Sequence, residues 1–139
     1  MAIKMRVLCA SNKAKITHMA EMIKAKYDLA INAVDKIPPA YSCDKERLVI
    51  LALSIKNEPD DSVRLFCQEL TKARAQNVAL LIHGTPAAAN VMKNILKSAG
   101  TNVLDEVLYV NCGLFGSAVK DEEKAALLAW TDRLLENLQ

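Results

Sequence analysis

Aromatic side chains are scarce in this sequence. Six of its 139 residues carry a ring: Tyr27, Tyr41, Phe66, Tyr109, Phe115 and Trp130. Rings are the usual platforms for flat ligands, so a stacked cofactor must draw on these six. Histidine is scarcer still, with only His18 and His83. The four cysteines, Cys9, Cys43, Cys67 and Cys112, form no C-x-x-C pair, and no metal site is expected. Excess charge of one sign is also missing. Eighteen Lys and Arg stand against sixteen Asp and Glu, a net +2, too even for a dedicated nucleic-acid binder. No apolar run approaches the roughly 18 residues of a membrane span. Residues 1–9 carry Lys4 and Arg6 and lack the apolar core of a secretory leader. Free thiols in a reducing cytoplasm are therefore the expectation.

Apolar residues, by contrast, are plentiful at 52%. That excludes a disordered chain, and the length suits one domain of about 100–200 residues. The pattern alternates short apolar runs with helical periods. Strands are expected at 5–9, 29–34, 48–53, 78–82 and 103–110. The uninterrupted run Leu48-Val49-Ile50-Leu51-Ala52-Leu53 reads as a strand buried on both faces. Ile16, Met19, Ala20 and Ile23 recur at helical spacing, with Ser11 or Asn12 as cap. Further helices are expected from Val63 to Leu70, from Pro86 after a Thr85 cap to a stop at Gly100, and from Asp121 to Leu138. Pro38 and Pro39 break the chain into a crossover loop at 35–46. Alternating strands and helices predict an α/β fold, a three-layer α/β/α sandwich around a five-stranded parallel sheet.

In such a sheet ligands bind beyond the carboxyl ends of the strands. The loops 10–15, 54–60, 83–86 and 111–117 are thereby nominated. The first enters a helix N-terminus, where free amide donors make an anion site. Lys13 and Lys15 sit there against the helix dipole, at a cost of about 0.3–1 kcal/mol each. A bound phosphate relieves that conflict; two lysines pointing into water are the alternative. His83, at a strand end on the same rim, is either a ligand contact or a hydrogen-bonded loop residue.

The whole chain resembles the flavodoxin-like family. Val7 to Glu21 align without gaps to that family's first strand, phosphate loop and first helix. The family's loop reads S/T-x-T-G-x-T, and here the six positions are Ser11-Asn12-Lys13-Ala14-Lys15-Ile16. Ser11 matches, whereas Lys13, Ala14 and Ile16 replace Thr, Gly and Thr. The resemblance implies FMN as cofactor, its phosphate held by Ser11, Asn12, Lys13, Ala14, Lys15, Ile16 and Thr17. It places the ring by Ser54, Ile55 and Lys56 and by His83, Gly84 and Thr85. It also implies electron transfer with a redox protein partner. Neither ring loop has an aromatic, so Tyr41 and Phe115 are the nearest platforms expected. A flavin-free scaffold that binds another phosphorylated small molecule or a protein is the other reading. Neither reading involves nucleic acid or a membrane.

Low-molecular-weight tyrosine phosphatases share this order of elements and use C-x5-R after the first strand. Here the count gives Cys9-x5-Lys15, and lysine lacks the planar fork that clamps phosphate oxygens. No Asp-Pro acid motif occurs. No catalytic set is therefore assigned. Cys9 reads as a small apolar residue at a strand end.

Overall fold

The computed structural model describes residues 3–113 and 117–139. Its strands are β1 (Met5–Ala10), β2 (Val34–Lys36), β3 (Leu48–Ile55), β4 (Asn77–Gly84), β5 (Asn102–Val103) and β6 (Leu108–Tyr109). The helices are α1 (Ala14–Tyr27), α2 (Asp61–Gln68), α3 (Pro86–Ala99) and α4 (Asp121–Glu136). The sheet is parallel in the order β2-β1-β3-β4-β5, and β6 also pairs with β4. This is the flavodoxin-like winding, whose strand order reverses between β1 and β3.

The apolar runs explain the layers. Alternate residues of a strand point to opposite faces. On one face Val49, Leu51 and Leu53 of β3 join Val78, Leu80 and Ile82 of β4, under Val63 and Cys67 of α2 and Met92 and Leu96 of α3. On the other, Leu48, Ile50 and Ala52 join Ala79 and Leu81 under Ile16, Met19 and Ile23 of α1 and Leu127, Trp130 and Leu134 of α4. Every one of these side chains is buried.

Two strands depart from the sequence reading. Residues 29–33, expected to open the second strand, form a turn, and β2 begins only at Val34. The reason is the end of α1. Asp28 adopts φ 50°, and the Leu29 amide returns to the Lys24 carbonyl, so this stretch closes a helix and cannot also extend. The fifth strand, expected at 103–110, is split. Val103 pairs with Val78 and Leu108 with Leu81, so residues 104–107 lie opposite only Ala79 and Leu80. The two surplus residues loop out. The Glu106 carbonyl in that loop accepts from Trp130 Nε1 at 3.0 Å, and its carboxylate pairs with Arg133 at 2.6 Å. Helix signals fared better. Thr85 Oγ1 accepts from the Ala88 amide at 3.2 Å, Pro86 opens α3, and Gly100 closes it at φ 110°.

Candidate functional site

A cleft of about 510 Å³ opens at the carboxyl ends of β1, β3 and β4. Asn12 and Lys13 line it from the loop after β1. Ser54, Ile55 and Lys56 come from the end of β3, and His83, Gly84 and Thr85 from the end of β4. The volume falls within the roughly 300–1,000 Å³ of small-molecule sites. The lining has two lysines and no carboxylate.

Close approach of two strands shapes the floor. Gly84 stands beside Ile55 in the register, and a Cβ there would lie 2.4 Å from the Ile55 carbonyl oxygen. Only glycine allows β3 and β4 to run together this far. The loop after β1 is tied down as well. Ser11 Oγ accepts from the Lys13 amide at 3.0 Å and lies 2.5 Å from Ser54 Oγ, which joins the first loop to the end of β3. His83 Nδ1 donates to the Val110 carbonyl at 3.2 Å and leaves Nε2 for solvent or a ligand.

The start of α1 sorts the remaining candidates. Its cap is Lys13, two residues after Ser11 and one after Asn12, the caps expected. Ala14 is the first helical residue, and its φ is not positive, so the glycine of the family motif is not required there. The Ile16 amide bonds the Lys13 carbonyl at 3.1 Å, and the Ile16 side chain is fully buried in the core. Thr17 is exposed on the first turn of α1. The amides of Ala14 and Lys15 have no hydrogen-bond partner among the described residues, the usual condition of a helix start.

Lys15 does something the sequence did not reveal. Its side chain is buried, and its Nζ donates to the Asn111 carbonyl and to Glu123 of α4, each at 2.5 Å. Glu123 also accepts from the Lys120 amide at 3.1 Å. These bonds, with the Lys15 side chain contributing most, hold the Glu123 carboxyl below the usual carboxylate range. The dipole conflict at Lys15 is thus relieved from within. Lys13 forms no such pair among the described residues.

Ring platforms fall elsewhere. Tyr41 was expected near this rim, but the loop 37–46 returns to start β3 and therefore lies at the amino end of the sheet. There the Tyr41 carbonyl accepts from Arg6 Nη1 at 2.6 Å. Phe115, and with it the Cys112–Phe115 loop, falls outside the described residues in part. Among the described residues no aromatic lines the cleft. His18, exposed on α1, donates through Nδ1 to the Ser117 carbonyl at 3.0 Å. Burial, with a smaller contribution from Glu21, pushes the Cys9 thiol up to about 11. A thiol so protonated is no nucleophile at neutral pH.

No family model matches the chain, and no curated protein sequence matches it. Among solved structures it is similar to a short-chain flavodoxin associated with a non-canonical PDU bacterial microcompartment. The TM-score is 0.69 over 98% of each chain, at 10% identity. The likeness establishes the flavodoxin-like fold. No helix is long and apolar enough to cross a membrane among the described residues.

Proposed function

We propose that this flavodoxin-like chain binds FMN, through its phosphate, in the cleft at the carboxyl ends of β1, β3 and β4. The observation that carries the reading is the carboxylate-free lining with Lys13 and Lys56, next to free amides at the start of α1. Lys13 and the Ala14 and Lys15 amides are assigned to the phosphate, together with Asn12. The Ser11–Ser54 pair holds that loop against β3. Ile55, Lys56, Gly84 and Thr85 are assigned to the ring, which meets aliphatic stems and backbone rather than a stacking partner. Thr17, exposed on the first turn of α1, is not among the residues that line the cleft and is assigned no contact. Ile16 serves through the core that anchors α1.

The bound flavin would supply one- and two-electron transfer. Lys56 and Lys13 would favour its more negatively charged, reduced state and exclude a strongly basic redox partner. A second reading, a flavin-free site for another phosphate ester, draws support from the absence of an aromatic in the described lining.

Titration of FMN, riboflavin and AMP, followed by flavin fluorescence and calorimetry, separates the readings. Quenching of FMN, with much weaker riboflavin binding, is expected. Equal binding of FMN and AMP favours the flavin-free site. No binding of any of the three overturns both. Lys13→Glu with Lys56→Glu is expected to weaken FMN by at least about tenfold, through loss of charge-assisted contacts. Lys15 is unsuitable for this test because its ion pair with Glu123 is part of the fold.

A further inference from the structure

His83 lines the carboxyl-end cleft beside Ser54, its register partner on β3. Ala79 and Leu81 of β4 point under α1 and α4, and His83 continues that alternation. Its half-buried ring therefore lies on the α1 side of the sheet.

One hydrogen bond fixes what this ring can do. Nδ1 lies 3.2 Å from the Val110 carbonyl oxygen. A carbonyl only accepts, so Nδ1 carries the proton in the neutral ring. Nε2 is then a bare acceptor, and no donor among the described residues reaches it. No carboxylate among the described lining residues is there to pair with an imidazolium. Two backbone donors line the same cleft. The amides of Lys56, just past β3, and of Thr85, just past β4, have no hydrogen-bond partner among the described residues.

Position decides which part of a ligand these groups meet. Neighbouring strands lie about 4.8 Å apart, and β3 separates β1 from β4, so His83 is roughly 10 Å from the loop after β1. With a phosphate held at that loop, His83 faces the opposite end of the ligand, its ring.

We infer, building on the phosphate site proposed above, that His83 selects a ring carrying an imide, an N–H between two carbonyls. The imide N–H donates to Nε2, and the Lys56 and Thr85 amides donate to the carbonyls. FMN has this group, and its oxidised ring has no other N–H. A uracil ring has it too, whereas adenine does not. Selection by this route is steep, because a ring without the donor strips water from Nε2 and returns nothing.

The test compares FMN, 3-methyl-FMN, UMP and 3-methyl-UMP by calorimetry, on the native protein and on His83→Asn. Asparagine Nδ2 stands where Nδ1 stood and keeps the bond to Val110, while nothing replaces Nε2. In the native protein each N-methyl compound should bind at least about tenfold more weakly than its parent. In His83→Asn that ratio should fall towards one, with the urea midpoint unchanged. Side-chain nitrogen NMR gives a second readout, and only His18 and His83 contribute ring signals. Nε2 of His83 should show the shift of a bare nitrogen in the free protein and should move with FMN but not with 3-methyl-FMN. A parent that binds no better than its N-methyl compound, or a ratio that His83→Asn leaves unchanged, overturns the role of His83; where that parent is FMN, the flavin reading stands. UMP binding ahead of 3-methyl-UMP, without FMN binding, supports the imide site and overturns the flavin reading. No binding of either parent overturns both.

Discussion

Lys15 shows how one side chain can change its meaning between sequence and structure. At a helix start it opposes the dipole, which suggests an anion. In the fold the anion is Glu123, 108 residues away in the chain and adjacent in space. Because the folded state holds the Glu123 carboxyl low, the pair contributes fully above its ordinary value of 4.5 and is lost as pH falls through the lower folded value. Acid titration of unfolding free energy should therefore show a loss below about pH 4.5, and Glu123→Gln should flatten it. At neutral pH the same variant should cost about 1–3 kcal/mol in urea unfolding, since a buried ammonium keeps only the Asn111 carbonyl. Nothing at residue 15 predicts a partner at residue 123; only docking of α4 beside α1 supplies it.

At the scale of elements, the carboxyl ends of β3 and β4 decide whether a cleft exists. Their last registered pair is Ile55 with Gly84, and a Cβ at Gly84 meets the Ile55 carbonyl oxygen at 2.4 Å. A backbone atom cannot swing aside, so the strands must part. Gly84→Ala should cost about 1–3 kcal/mol of stability, read by thermal and urea unfolding. It should also weaken FMN binding by displacing Lys56 and Thr85. Chain reading located β1, β3, β4 and α3 because their signals are local: apolar runs, a Thr-Pro start, a glycine stop. It failed at β2 and at the fifth strand because pairing is not local. Residues 29–33 are apolar enough for a strand, but they serve the end of α1. Residues 103–110 are strand-like throughout, but the register on β4 accommodates only two stretches of them. The site candidates divide in the same way. Asn12, Lys13, Ser54, Ile55, Lys56, His83, Gly84 and Thr85 converge on one cleft, as loops at strand ends must. Ile16 and Lys15 turn into the molecule because helical geometry rotates them away from the rim.

For the molecule as a whole, the two ends of the sheet differ in charge. The carboxyl-end cleft has lysines without carboxylates, and a cleft at the amino ends of β1 and β3 has a buried carboxylate, Glu46, beside Lys4 and Arg6. FMN affinity should consequently fall as salt rises from about 0.01 M to 0.15 M, over which the Debye length shrinks from about 30 to 8 Å. Affinity independent of salt would argue against an electrostatic phosphate site.

The scarcity of aromatics determined from the start that any stacked flavin must draw on six rings, because ring count is a property of composition. Hydrophobic period likewise determined the three layers, because burial on one face or two is written residue by residue. Tertiary structure alone decided where the rings went. Tyr41, a loop residue after two prolines, lies at the amino end of the strands because the crossover must return there to begin β3. Structure alone also paired Lys15 with Glu123 and left the Glu46 carboxylate without a hydrogen-bond or ion-pair partner among the described residues. Each depends on residues far apart in sequence being brought within a few ångströms, and no local pattern encodes that distance.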